Sequence, residues 1–229
     1  ERKMKLRSEY RVLMLLPNGH YHPNEVPNLS FPLGPARLSA RLRSVGYITE
    51  ILDSQAEGMF RVAAREKTNR LGQFVGRSQE IVLHQGDSFE TVEIGLPDEM
   101  LIERIREINP DIILGTLIFS TQAEMFRRQI GVIRKEFSTP ILIGGVAATS
   151  YPEQMGDHQD LVLRGKFDDY IIDLVDAYRT GEDKQQFDKF KLTLAHLQTT
   201  LPGVIDVEPM EPNLYPVHQL PLSVYPETD

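Results

Sequence analysis

The residues able to do chemistry in this chain gather where short apolar runs end. Gly144-Gly145 is followed by Val146, Ala147, Ala148, Thr149 and Ser150, small residues and hydroxyls just past the run ILI. Glycines at such a place let a ligand approach the backbone, and Thr149 and Ser150 can hydrogen-bond it. The same residues also suit a plain strand-to-loop turn. Gly115-Thr116-Leu117 ends a second apolar run, and Ser120 follows at the start of a helical stretch. A hydroxyl and open helix amides there would receive a polar or anionic group, although a bare N-cap accounts for Ser120 equally well. Arg164-Gly165 and Pro17-Asn18-Gly19 close two further runs. His20 and His22 could share a metal, but no carboxylate or third His stands at metal spacing beside them. His84, His158, His196 and His218 are scattered.

Ready-made catalysis is missing from this set. No G-x-S-x-G, P-loop, G-x-G-x-x-G or H-E-x-x-H occurs. Asp168-Asp169 and Glu153 read as solvated carboxylates at helix ends. With no nucleophile–base pair in the chain, any chemistry comes from something bound.

Composition narrows the class further. The 229 residues carry 25 Lys+Arg against 33 Asp+Glu, a formal charge of -8, which argues against a broad nucleic-acid surface. Cys is absent, which removes disulfides, thiolate zinc sites, iron–sulfur clusters and Cys nucleophiles, and is compatible with a cytoplasmic protein. No stretch reaches the roughly 20 apolar residues of a membrane span. The start, ERKMKLRSEY, lacks an apolar core after its basic residues and reads as a solvated arm over 1–10 rather than a leader.

The elements that must position these residues alternate. Arg11 to Leu16 and Tyr47 to Leu52 read as strands, with a helix opened by Pro35 between them and Gly46 at its C-terminal end. Residues 20–31 read as a long loop. Residues 54–95 read as an insertion with a helical piece around Phe60 to Phe74 and a hairpin turning near Gly86-Asp87. Asp98 is placed to cap a helix. The strand Asp111 to Leu117, the helix Thr121 to Phe137, the strands Pro140 to Ile143 and Leu161 to Leu163, and the helix Asp168 to Tyr178 follow. A polar helix to about Leu197 and an extended Pro-rich tail close the chain. Alternating strands and helices predict an α/β fold: a Rossmann-like, flavodoxin-like doubly wound parallel sheet of five strands, with ligand over the carboxyl ends.

Taken in order, RVLMLLPNG, PLGPARLSARLRSVGYITEILD, INPDIILGTLIFST, ILIGGVAATSYPEQM and DLVLRGKFDDYIIDLV resemble the cobalamin-binding N-terminal domain of B12-dependent radical SAM enzymes. The closing LPGVIDVEPMEPNLYPVHQLPLSVYPETD resembles the linker into their radical SAM barrel. Gly115-Thr116-Leu117 falls at the S-x-L position of the wider B12 fold and Gly144-Gly145 at its G-G. The D-x-H-x-x-G of that fold is absent. Ala147 replaces the His of the branch's G-G-P-H-A-T, and Gly165-Lys166-Phe167-Asp168 replaces its G-E-x-E.

The resemblance implies a cobalamin-binding domain over 11–180, with 54–95 inserted, and a helix and linker over 181–229 leading to a covalently attached radical SAM domain outside this chain. Cobalamin, as methylcobalamin or hydroxocobalamin, would meet Asn18, Gly19 and His20 after the first strand, and Leu33 and Gly34 at the first helix. It would also meet Gly115, Thr116, Leu117 and Ser120 after the third strand, Gly144, Gly145, Ala147 and Thr149 after the fourth, and Gly165, Lys166 and Phe167 after the last. The nucleotide tail would thread between the strands ending at Leu117 and Gly144. S-adenosylmethionine and a 4Fe–4S cluster would belong to the attached domain, since this chain has no Cys to hold a cluster. The parent activity implied is methyl transfer, with no catalytic residue and no protein metal site in this chain. Three rivals remain. One is a flavodoxin- or receiver-like module without corrinoid; a receiver would need clustered acids after the first strand and a phosphorylatable Asp after the third, where Pro17-Asn18 and Gly115-Thr116 stand. A small nucleotide-sugar transferase would need charged strand ends, where only Arg164 qualifies. A degenerate B12 fold would serve as an interaction platform without corrinoid.

Overall fold

The apolar run Arg11–Leu16 becomes β1, buried from Val12 onward, as a parallel strand covered on both faces must be. The computed structural model describes residues 4–21, 29, 31–66, 77–82, 88–180 and 204–206. Strand β1 pairs in parallel with β3 (Ile48–Asp53) on one side and β6 (Ile112–Thr116) on the other. Strands β7 (Ile141–Gly144) and β8 (Leu161–Arg164) continue the sheet, giving the order β3-β1-β6-β7-β8. These are the five parallel strands that the alternating sequence predicts. A short further strand, β9 (Val204–Asp206), adds in parallel to β8 from within the tail expected to be merely extended. The helical stretch expected to run to about Leu197 and the rest of that tail lie outside the described residues.

Helices cover both faces because their apolar residues recur every three to four positions. Helices α1 (Leu33–Ser44) and α6 (Ile171–Thr180) take one face, where Leu42, Ile171, Leu174 and Val175 pack on Val12, Met14, Leu114, Leu142 and Leu163. Helices α3 (Asp98–Ile108) and α4 (Ala123–Glu136) take the other, with Leu101, Ile105, Phe126, Ile130 and Ile133 against Leu13, Leu15, Ile113 and Ile143. Each such fully buried side chain contributes about 1.5–3 kcal/mol. Gly46, at φ +97°, ends α1 in the left-handed conformation expected of it.

Several local expectations are corrected. Asp98 does not cap α3: Pro97 stands at the cap, and Asp98 is the first helical residue, ion-paired with Arg128. Ser120 is no N-cap either, because it starts a short 3-10 turn (Ser120–Gln122) with no side-chain cap bond, and α4 begins only at Ala123. The N-terminal arm is not simply solvated. Lys5 lies 2.6 Å from Asp111, Arg7 ion-pairs with Asp176, and Tyr10 is buried.

Within 54–95 the described residues form α2 (Ser54–Glu66) and a hairpin of β4 (Arg77–Val82) and β5 (Ser88–Ile94); the part of the expected helical piece beyond Glu66 and the expected turn at Gly86-Asp87 lie outside the described residues. The start of the presumed long loop is also a strand. Strand β2 (Gly19–Tyr21) pairs antiparallel with β5 and completes a small three-stranded sheet, β2-β5-β4. No helix among the described residues is long and apolar enough to cross a membrane.

Candidate functional site

The order β3-β1-β6 means that successive connections leave β1 in opposite directions. A crevice therefore opens beyond the carboxyl ends of β1 and β6, the usual ligand position in open α/β sheets. Among the described residues, a larger and a smaller cavity lie along this edge. The larger, about 420 Å³, opens over the ends of β6, β7 and β8, between α1 and α6. Its inner wall is apolar, formed by Leu38, Leu114, Leu142, Leu163, Phe167 and Ile171. Thr149 and Ser150, on the short helix α5 (Val146–Ser150), bring hydroxyls to the rim, and Arg37, Lys166 and Asp168 bring charge.

The predicted residues divide around this cleft. Gly34, Gly115, Thr116, Gly144, Gly145, Thr149, Gly165, Lys166 and Phe167 all line it. A Cβ at Gly34 would meet nothing within 4 Å, and one at Gly144 only ordinary contacts at 3.7 Å, so both leave room at the wall. Gly145 has a different reason to be glycine. At φ +107°, its Cβ would stand 2.3 Å from the Leu117 carbonyl oxygen, which accepts a hydrogen bond from the Ala147 amide. A Cβ at Gly115 would meet the Phe126 ring at 2.7 Å, so its missing side chain makes space for α4. The Thr149 hydroxyl donates to the Gly145 carbonyl (2.9 Å) and accepts from the Gly165 amide (3.0 Å), tying the loops after β7 and β8 together.

The smaller cavity, about 220 Å³, lies at the ends of β1 and β6 and shares Thr116 with the cleft. His20 lines it with Asp53, Gln55, Thr121 and Gln122. Both His20 ring nitrogens are shielded from solvent and have no hydrogen-bonding partner among the described residues. Burial pushes the Asp53 carboxyl above its usual range against hydrogen bonds from the Ala56 and Gln55 amides. His22 lies outside the described residues, and no group of three His, Asp or Glu among the described residues is placed to hold a metal.

Asn18, Gly19, Leu33, Leu117, Ser120 and Ala147 line neither cavity. Asn18 is buried and structural: its side-chain amide donates to Glu93 (2.6 Å) and the Leu96 carbonyl (3.0 Å), while Ser54 donates to its carbonyl oxygen. Leu117 and Ala147 are buried, whereas Leu33 is exposed at the start of α1. Residues not anticipated at the cleft include Pro35, Arg37 and Leu38. Their signal was available, because Arg37 and Leu38 sit one turn beyond Gly34 on the same helix. Asp168, read as a solvated carboxylate, faces the cleft and pairs with Arg37 at 2.7 Å.

The fold and this edge define a doubly wound α/β domain with an apolar, charge-rimmed cleft over its parallel strands. No family model matches the chain. It is similar to cytidylyl-2-hydroxyethylphosphonate methyltransferase of Streptomyces wedmorensis, 26% identical over 162 residues, which cover 69% of this chain and 26% of that protein's length. The chain thus spans about a quarter of that methyltransferase. Among solved structures, two of the radical S-adenosylmethionine methyltransferase TsrM from Kitasatospora setae match with a TM-score of 0.47 and 18% identity, covering 76% of this chain and 26% of theirs. One holds tryptophan and a SAM analogue, the other cobalamin and a 4Fe–4S cluster.

Proposed function

We propose that this chain is a cobalamin-binding domain and one part of a methyltransferase whose radical SAM domain is covalently attached. The observation that carries the reading is the cleft at the carboxyl edge. It has an apolar wall, a volume of about 420 Å³, room at Gly34 and Gly144, and a polar rim. The similarity to a methyltransferase supports the same reading.

The residues present fit the group. Gly34, Gly144, Thr149 and Phe167 would flank the nucleotide tail in the large cleft, and Thr116 stands where the two cavities meet. The corrin would lie over the strand ends toward β2, where His20 offers ring nitrogens that lack a partner among the described residues. A bound corrinoid supplies one-carbon chemistry; the chain's residues bind it, orient it and exclude water from one face. The alternative, an interaction platform without corrinoid, draws on Gly115 and Gly145, whose glycines already have packing reasons.

Titrating the purified chain with hydroxocobalamin separates the two. The proposal expects a shifted visible spectrum and about one cofactor retained per chain after desalting. An unshifted spectrum and complete loss of cofactor at high micromolar concentration would favour the platform.

A further inference from the structure

We propose that Lys166 reads the phosphodiester that links the nucleotide tail to the corrin, so that the cleft selects a complete corrinoid over one lacking its tail. This inference rests on the cobalamin reading above. The inner wall of the cleft is built of leucines, Phe167 and Ile171, and carries no charge of its own. Three charged side chains line it, all at the rim: Arg37, Asp168 and Lys166. Arg37 and Asp168 cancel one another at 2.7 Å. Lys166 is exposed and has no ion pair or hydrogen bond among the described residues, so it is the uncompensated charge on the cleft.

Its backbone is held in place. Gly165 stands at φ +93°, its amide donates to the Thr149 hydroxyl, and the buried Phe167 ring follows immediately. The stem of Lys166 therefore starts from a held backbone beside the apolar wall, while its ammonium stays free to reach a ligand. An apolar slot with one unneutralised cation at its mouth complements an aromatic base carrying an anionic link. It offers nothing comparable to the neutral amide-bearing periphery of the corrin ring. The hydroxyl of Thr149 is already engaged within the protein, which leaves the ammonium as the strongest donor at that side of the rim.

Equilibrium dialysis of the 229-residue chain against hydroxocobalamin and diaquocobinamide tests this, since cobinamide keeps the ring but has no nucleotide. Lys166→Met should weaken cobalamin binding roughly threefold to tenfold, as expected for loss of a charge-assisted hydrogen bond at an exposed site. Lys166→Glu should weaken it further, and neither should change cobinamide binding. Added salt should weaken cobalamin binding to the wild type and have little effect on Lys166→Met. Equal losses for both ligands, or no loss for either, would overturn the inference while leaving the cobalamin reading intact. A wild-type chain that binds neither corrinoid would instead refute that reading, and this inference with it.

Discussion

Glycine at position 145 shows how one residue can carry both a fold and a site. Its φ of +107° is a conformation that L side chains rarely adopt, and a Cβ there would overlap the Leu117 carbonyl. Gly145→Ala should therefore destabilise the domain by about 1–3 kcal/mol through backbone strain, measured as a lower denaturation midpoint with the denaturant slope unchanged. Gly144, with its open surroundings, should tolerate the same change far better. From the sequence alone the two glycines are indistinguishable. The dipeptide marks a turn after an apolar run, but which glycine is needed by the backbone depends on where Leu117 lies, 28 positions earlier. Asn18 is the mirror case. Its place after β1 made it a candidate contact, yet its side chain is used by Ser54, Glu93 and Leu96. That network joins distant segments that no local spacing reveals.

At the scale of elements, the parallel sheet was legible because buried parallel strands are written as unbroken apolar runs, as in RVLMLL and DIILGT. Strand β2 was not, since Gly19-His20-Tyr21 has no strand pattern and owes its conformation to Glu93 and Val92 on β5. The N-terminal arm is illegible for the same reason: its basic residues find partners distant in sequence, on α6 and beside β6. Tyr47, buried just before β3, donates to Asp176 on α6 (2.6 Å), and Arg7 and Arg179 grip the same carboxylate. Burial and the Asp176 hydrogen bond push the Tyr47 hydroxyl up from 10.0 to about 12. Unfolded chains lose that proton at lower pH than folded ones, so this staple's stability is full below about pH 10 and is lost as pH rises toward about 12. Burial disfavours the Asp176 carboxylate, but the hydrogen bonds from Arg7, Tyr47 and Arg179 outweigh it and hold its pKa below the usual range. Its contribution is present above the ordinary carboxylate pKa and is lost as pH falls through the lowered value. Tyr47→Phe should reduce the alkaline decline, leaving the part that the partly buried Tyr178 hydroxyl contributes, and should also weaken the acid one, because Asp176 loses one of its three hydrogen-bond donors; both are read from denaturation midpoints across pH.

For the whole molecule, the central claim is that the carboxyl edge of a doubly wound sheet holds a corrinoid. Sequence order points to the carboxyl ends of four strands, at Pro17-Asn18-Gly19, Gly115-Thr116-Leu117, Gly144-Gly145 and Arg164-Gly165; the smaller cavity meets the first of these ends and the larger one lies over the last three. Its far wall came from α1, whose Arg37 and Leu38 look like ordinary surface and core positions until the helix is packed against α6. Gly34 gives the most direct test of the claim, because it lines the cleft and a Cβ added there meets nothing within 4 Å, so a larger residue should leave the fold untouched. The measurement is retention of hydroxocobalamin after desalting by the wild-type chain and by Gly34→Trp, with matched circular dichroism. The account predicts about one cofactor per wild-type chain and almost none on the variant. Equal retention by both, or none by either, would contradict it.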